Sequence, residues 1–243
     1  MKARALVLVF ACVAAFALVA MAPLSLVAGG LRLAQMGFAA QAVEGTIWAG
    51  VLRGLSFRGD QIGDVRVRVA PLGLLVGRAG LRFRVAGQVE GGGVLQLGHR
   101  AAGLLDAELS MPSRLLAPRA PFDGEVALHD FTALFQDGRC RKAGGQARLE
   151  ISRIAGAPMQ GLSLAGEAAC QDGVLVVPLS GTAQGARVEA TLHIDGSGRY
   201  RLDSRVMTTD SGLGLALGMA AFERTLEGAR RTDQGRIAEH ADR

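Results

Sequence analysis

Two patterns of apolar residues divide this chain. From Ala5 to Leu31 no residue carries a charge, and apolar character is interrupted only by Pro23, Ser25, Gly29 and Gly30. A span of about 20 predominantly apolar residues suffices to cross a bilayer as a helix, so Ala5 to Val27 predicts one transmembrane helix. Lys2 and Arg4 lie on its N-terminal side and place the N-terminus in the cytoplasm and residues 32–243 outside. Ala20-Met21-Ala22 has the small-x-small form of a signal-peptidase site. Pro23 would then be the first mature residue, and the apolar run continues past it, so a retained anchor is favoured over a cleaved signal. Either reading exports the body.

After the apolar run the period changes to two. Val65-Arg66-Val67-Arg68-Val69 and Leu81-Arg82-Phe83-Arg84-Val85 alternate strictly, which puts all four arginines on one face of β-strands. Arg66, Arg68, Arg82 and Arg84, interleaved along the chain with Asp60, Asp64 and Glu90, read as a solvated face. Further strands are predicted at Gly124 to His129, Gln146 to Ile151, Leu162 to Ala168, Val174 to Leu179, Arg187 to Ile194 and Tyr200 to Val206. Gly, Asp, Ser or Pro bounds each, and Asp195-Gly196-Ser197-Gly198 reads as a hairpin turn. Closely spaced strands with short turns describe an antiparallel meander rather than βαβ units.

Two stretches depart from alternation. Pro112, Pro118 and Pro121 enclose Leu115-Leu116, predicting a crossover or short helix between Ser110 and Pro121. Gly212 to Gly228 carries Leu213, Leu217, Ala220, Ala221 and Leu226 on or near one face and predicts a short C-terminal helix, weakened by its glycines. The expected architecture is mainly β: an antiparallel meander forming a curved sheet or an open sandwich or barrel-like body. Its predicted divisions are 1–31 for the cytoplasmic N-terminus and anchor, 32–228 for the periplasmic domain and 229–243 for a polar, frayed tail.

Composition changes this picture little. The 34 glycines follow no three-residue period and suit a turn-rich β protein. A net charge of +5 would suit an acidic partner, yet no Lys/Arg cluster is interleaved with aromatics, so nucleic acid is not expected as a partner.

The chemistry-bearing residues are sparse. Cys12 lies within the apolar run, leaving Cys140 and Cys170 in the exported body, where an oxidising compartment favours a disulfide over two buried thiols. His99, His129, His193 and His240 are widely separated and form no metal-ligand spacing, so neither a metal nor a cofactor is expected. His129 beside Asp130 and His193 near Asp195 have the form of a base and its orienter, but strand and turn neighbours produce such pairs by chance. Gly161-Leu162-Ser163-Leu164-Ala165 lacks the closing glycine of a nucleophile elbow. Gly212-Leu213-Gly214-Leu215-Ala216-Leu217-Gly218 misses the dinucleotide spacing. The chain is not expected to be an enzyme.

Glu44-Gly45-Thr46-Ile47-Trp48-Ala49-Gly50, shortly after the apolar run, resembles the opening strand of the N component of the bacterial type II (general) secretion pathway. Pro71-Leu72-Gly73-Leu74-Leu75-Val76-Gly77 is similar to that family's Pro-x-x-Leu-Leu-x-Gly. Cys140-Arg141-Lys142-Ala143-Gly144-Gly145, Gly166-Glu167-Ala168-Ala169-Cys170-Gln171-Asp172-Gly173 and Gly198-Arg199-Tyr200-Arg201-Leu202 continue the likeness in order. Arg66-Val67-Arg68-Val69 departs from it, where an aromatic is expected in many members. The resemblance implies a single-pass inner-membrane protein serving a machine that exports folded proteins from the periplasm across the outer membrane. Its role there would be accessory or assembly, and its partners other secretion subunits. Trp48, the only tryptophan, is then a candidate interface residue. The competing function is a lipid-binding or lipid-transfer module of the AsmA type, since a curved sheet with one apolar face could hold acyl chains.

Overall fold

The alternating runs become central strands of one open antiparallel sheet in the computed structural model. It describes residues 37–70, 78–116, 122–154, 161–183, 185–208, 222–225 and 228–236, together with Phe10, Pro23 and Leu24. The first half comprises β1 (Phe38–Ala39), β2 (Ala42–Gly45), β3 (Ala49–Phe57), β4 (Asp60–Val69), β5 (Arg78–Gly87), β6 (Glu90–Gly98) and β7 (Ala101–Pro112). A single-turn helix α1 (Ser113–Leu116) leads to β8 (Phe122–Gln136) and β9 (Arg139–Ile154). Then follow β10 (Leu162–Glu167), β11 (Ala169–Gln171), β12 (Val174–Ala183), β13 (Ala186–Ile194), β14 (Arg199–Met207), β15 (Glu223–Thr225) and β16 (Gly228–Arg236).

Spatial order follows chain order almost throughout, from β3 to β14, with β1 and β2 side by side on β3 and β15 outside β16. The meander expectation therefore holds, in its open-sheet form. α1 joins β7 to β8, which are direct antiparallel neighbours, so the proline-bounded segment carries a short helix and no crossover. Tight turns set the registers. In Asp137-Gly138 and Asp172-Gly173 both residues have positive φ, the backbone that two-residue hairpins need to match strand twist.

The sheet is creased. Asp106 and Asp130 adopt positive φ, and the ladders slip there between Leu104 and Ala107 on β7 and between His129 and Thr132 on β8. Gly145 on β9 is also at positive φ, and the Ala168 N–H between β10 and β11 donates to its carbonyl at 3.0 Å. Bulges on successive strands bend the sheet and raise its twist, bringing apolar side chains of one face together. Ala107, with 0% exposure, packs beside Phe131, Cys140, Ala168, Leu175 and Val177. A second cluster gathers Ile151, Leu162, Leu164, Val188 and Val206, and a third Val65, Val67, Val85 and Val89 with Leu24.

Two terminal expectations need correction or stand aside. Glu223–Thr225 is an edge strand rather than the end of a helix, because it pairs with β16; most of the predicted helix at Gly212 to Gly228 lies outside the described residues. The tail expected to fray from Ala229 is β16 as far as Arg236, held by nine registered pairs to β14. Backbone pairing, which the polar side chains of Ala229 to Arg236 do not advertise, overrides composition. Nearly all of Ala5 to Leu31 falls outside the described residues, and no helix among the described residues is long and apolar enough to cross a membrane.

Candidate functional site

The sequence-predicted residues fall at separate places on the sheet. Cys140 opens β9 and Cys170 centres β11, and they form a disulfide with Cα atoms 5.6 Å apart. β9 pairs with β10 only from Gln146 to Ile151. Beyond the crease the cross-link and the Cys140 N–H donated to the Gly173 carbonyl at 2.7 Å continue the seam along β11. The bridge therefore clips the β11–β12 hairpin to the β8–β9 hairpin where the regular ladder stops.

Trp48 lies in the turn between β2 and β3, half-buried. Thr46 N–H donates to the Ala49 carbonyl at 2.9 Å to close that turn, and Val69 N–H donates to the Trp48 carbonyl at 3.0 Å. Pro23 forms an isolated bridge with Thr46, so the apolar run meets the sheet at Pro23, beside Trp48.

The histidines do not pair with the acids beside them in sequence. His129 Nδ1 lies 3.1 Å from Glu108 on the neighbouring strand, and Glu108 also accepts the Asp130 N–H at 2.8 Å. That backbone bond first, and His129 second, holds the Glu108 carboxyl below its usual range. Glu108 thus satisfies the bulge at Asp130, a role that only pairing of β7 with β8 reveals. His193 Nε2 lies 3.9 Å from Asp203, not Asp195. Burial opposes ionisation of Asp203, but hydrogen bonds from Arg201 and Thr232 prevail and lower its pKa. Asp195 serves its own turn, accepting from the Ser197 hydroxyl at 2.6 Å, the Ser197 N–H at 2.8 Å and the Arg199 N–H at 3.1 Å. The Ser197 hydroxyl and these N–H groups pull its pKa down to about 2.

A solvent-open cleft of about 1080 Å³ lies beside α1, with Glu90, Glu125, Glu150 and Arg114 among its walls. Glu125 stands directly opposite Glu150 across β8–β9, and the Ser110 hydroxyl donates to Glu125. Among the described residues no three His, Cys, Asp or Glu side chains are placed to hold a metal ion. The chemistry on view is structural: carboxylates that accept backbone and hydroxyl donors at bulges and turns.

The family model for the type II secretion system, protein N, matches residues 36–232. The chain belongs to the type II secretion protein N family. The match runs from just before β1 into β16 and so takes in almost the whole sheet. No curated protein and no solved structure matches the chain. A protein N chain is a secretion component, and its membership implies contact with other secretion subunits.

Proposed function

We propose that this chain is an accessory or assembly component of a type II secretion system, held in the bacterial inner membrane by the charge-free segment Ala5 to Ala22, with its sheet in the periplasm; Pro23 and Leu24, which the sequence predicts as part of the anchor, belong to the sheet. The family match over 36–232 carries the reading. The Cys140–Cys170 disulfide supports the compartment, since such bonds persist where the surroundings are oxidising. Among the described residues the open sheet has two edges, at β1 and β2 and at β15 and β16, and strand edges suit docking by strand addition. Trp48, beside the point where Pro23 meets the sheet, would anchor a contact close to the membrane.

A photo-reactive residue in place of Trp48, in cells carrying the whole machine, tests this contact. Cross-links to inner-membrane or periplasmic secretion subunits support the proposal; cross-links confined to unrelated proteins overturn it. Topology is checked separately with a thiol reagent that does not cross the membrane. A cysteine introduced at Ser197 should react in intact spheroplasts, and one at Ala3 only after lysis.

A second reading, lipid binding on the apolar face, draws on one observation. Leu97 on β6 is 45% exposed, the one exposed large apolar side chain among the described residues of the sheet. Phospholipid co-extracted with the purified chain in stoichiometric amount would favour that reading, and its absence the docking role.

A further inference from the structure

Arg66, Arg68, Arg82 and Arg84 were expected to be dispersed among acids, and the strand register instead sets them against each other. Arg66 lies directly opposite Arg84, and Arg68 opposite Arg82, with all four exposed. Opposed residues bring their Cβ atoms to about 5 Å, and alternate residues along a strand lie about 7 Å apart. Four guanidinium groups therefore spring from a patch of about 5 by 7 Å.

Among the described residues none of the four arginines forms an ion pair, and the nearest carboxylates bond other groups. Glu44, two strands away opposite Val51, bonds Arg53 at 2.9 Å. Asp64 accepts the Gly54 N–H at 2.9 Å. Glu108, opposite Gly92, holds Asp130 and His129. The residues flanking the arginines in their own rows are Ala49 and Val51 on β3 and Gly92 and Val94 on β6, none of which can neutralise a charge. Elsewhere opposed arginines are relieved: in Arg205–Arg230, Arg230 pairs with Glu223, and in Arg199–Arg236, Arg199 pairs with Asp195. Like charges directly opposite one another destabilise a sheet, so the quartet carries a standing cost that an external anion would remove.

Its position says which anion. Arg68 lies opposite Ala49, whose carbonyl accepts from Thr46, and Thr46 bridges to Pro23, so the patch starts within about 15 Å of Pro23 at strand spacings. Leu24 packs with Val65, Val67 and Val85 on the other face. Immediately before Pro23 runs the charge-free segment Ala5 to Ala22. We propose that the face formed by Arg66, Arg68, Arg82 and Arg84 docks on the anionic phospholipid headgroups of the membrane that anchors the chain. This rests on the anchor reading above. Guanidinium forks match phosphate oxygens in pairs, and long arginine stems let the heads reach a surface beside the sheet. Docking would fix the angle at which the open sheet leaves the bilayer, and so which edge faces other subunits.

The test places the full chain in nanodiscs of phosphatidylcholine alone or with about 30 mol% phosphatidylglycerol. Phenylglyoxal modification is then read at each arginine by peptide mass. We expect the four arginines to react about fivefold more slowly in the anionic discs, with the protection lost in about 0.5 M NaCl, while Arg148 and Arg187 react alike in both. Equal rates at the four arginines in the two discs overturn the proposal. So does equal protection by inorganic phosphate over phosphatidylcholine discs, or protection that appears only when an acidic secretion subunit is added. A chain that fails to enter either disc overturns the anchor reading instead, whereas entry without protection overturns this assignment alone.

Discussion

Reducing the Cys140–Cys170 bond removes a constraint that the ladder does not duplicate, because β9 and β11 are not joined by a registered strand pairing. The bridge closes a loop with a sequence separation of 30. On the chain-entropy model a closure of that length removes about 12 cal/mol/K from the unfolded ensemble, or ~3.6 kcal/mol at 25 °C. The roughly 170 described residues would unfold with an entropy near 0.36 kcal/mol/K, so that figure corresponds to a fall in Tm of about 10 °C. Circular dichroism melts of the intact chain with and without dithiothreitol measure this directly. The Cys140→Ala/Cys170→Ala variant should lose about 1 kcal/mol more, because Cys140 is 5% exposed among Ala107, Phe131 and Leu175 and its truncation leaves a void. A reduction that shifts Tm by less than about 2 °C would refute the reasoning, since it would mean that the seam is held without the cross-link.

Other substitutions test the turn, the core and the strand contacts. Asp195 is held at about 2 in the folded chain, below the 3.8 of an ordinary aspartate, so its stabilisation is complete above about pH 4 and fades as pH falls through about 2. Asp195→Asn should flatten the acid limb of a plot of Tm against pH, and an unchanged limb would sink this. Gly166→Ala places a Cβ 1.6 Å from the Pro178 carbonyl oxygen, and the forced separation of β10 from β12 should cost about 2–4 kcal/mol by urea denaturation; a neutral outcome would show that the strands can part freely. Leu164→Ala empties a site with 2% exposure and should lower stability by about 3 kcal/mol without changing the urea m-value.

What the sequence reveals depends on whether a strand has one apolar face. β4, β5, β8, β9, β10, β12, β13 and β14 contain the predicted strands, and Asp195 to Gly198 forms the expected hairpin turn. β6 begins Glu90-Gly91-Gly92-Gly93 and β16 is almost wholly polar, so neither carries a period-two signal; long-range pairing alone makes them strands. The extended conformation of Glu223–Thr225 likewise comes from its partner β16 and overrides a helical pattern. At the candidate sites the cysteine pair was legible from number and compartment, whereas the crease at Asp106, Asp130 and Gly145 was not. Only Asp106, Asp130 and the Gly144-Gly145 pair within the strands hint at it. Opposition of the four arginines needed the register between β4 and β5, because sequence alternation fixes a face but not which residue stands across from it.

Placement in the secretion machine can be tested without reference to any one side chain. In a strain lacking this chain, the distribution of a type II cargo between periplasm and medium is measured by immunoblot, with the intact gene restored as the control. The cargo is expected to fold and accumulate in the periplasm, with release regained on complementation. Release at the wild-type level in its absence would contradict a role in secretion.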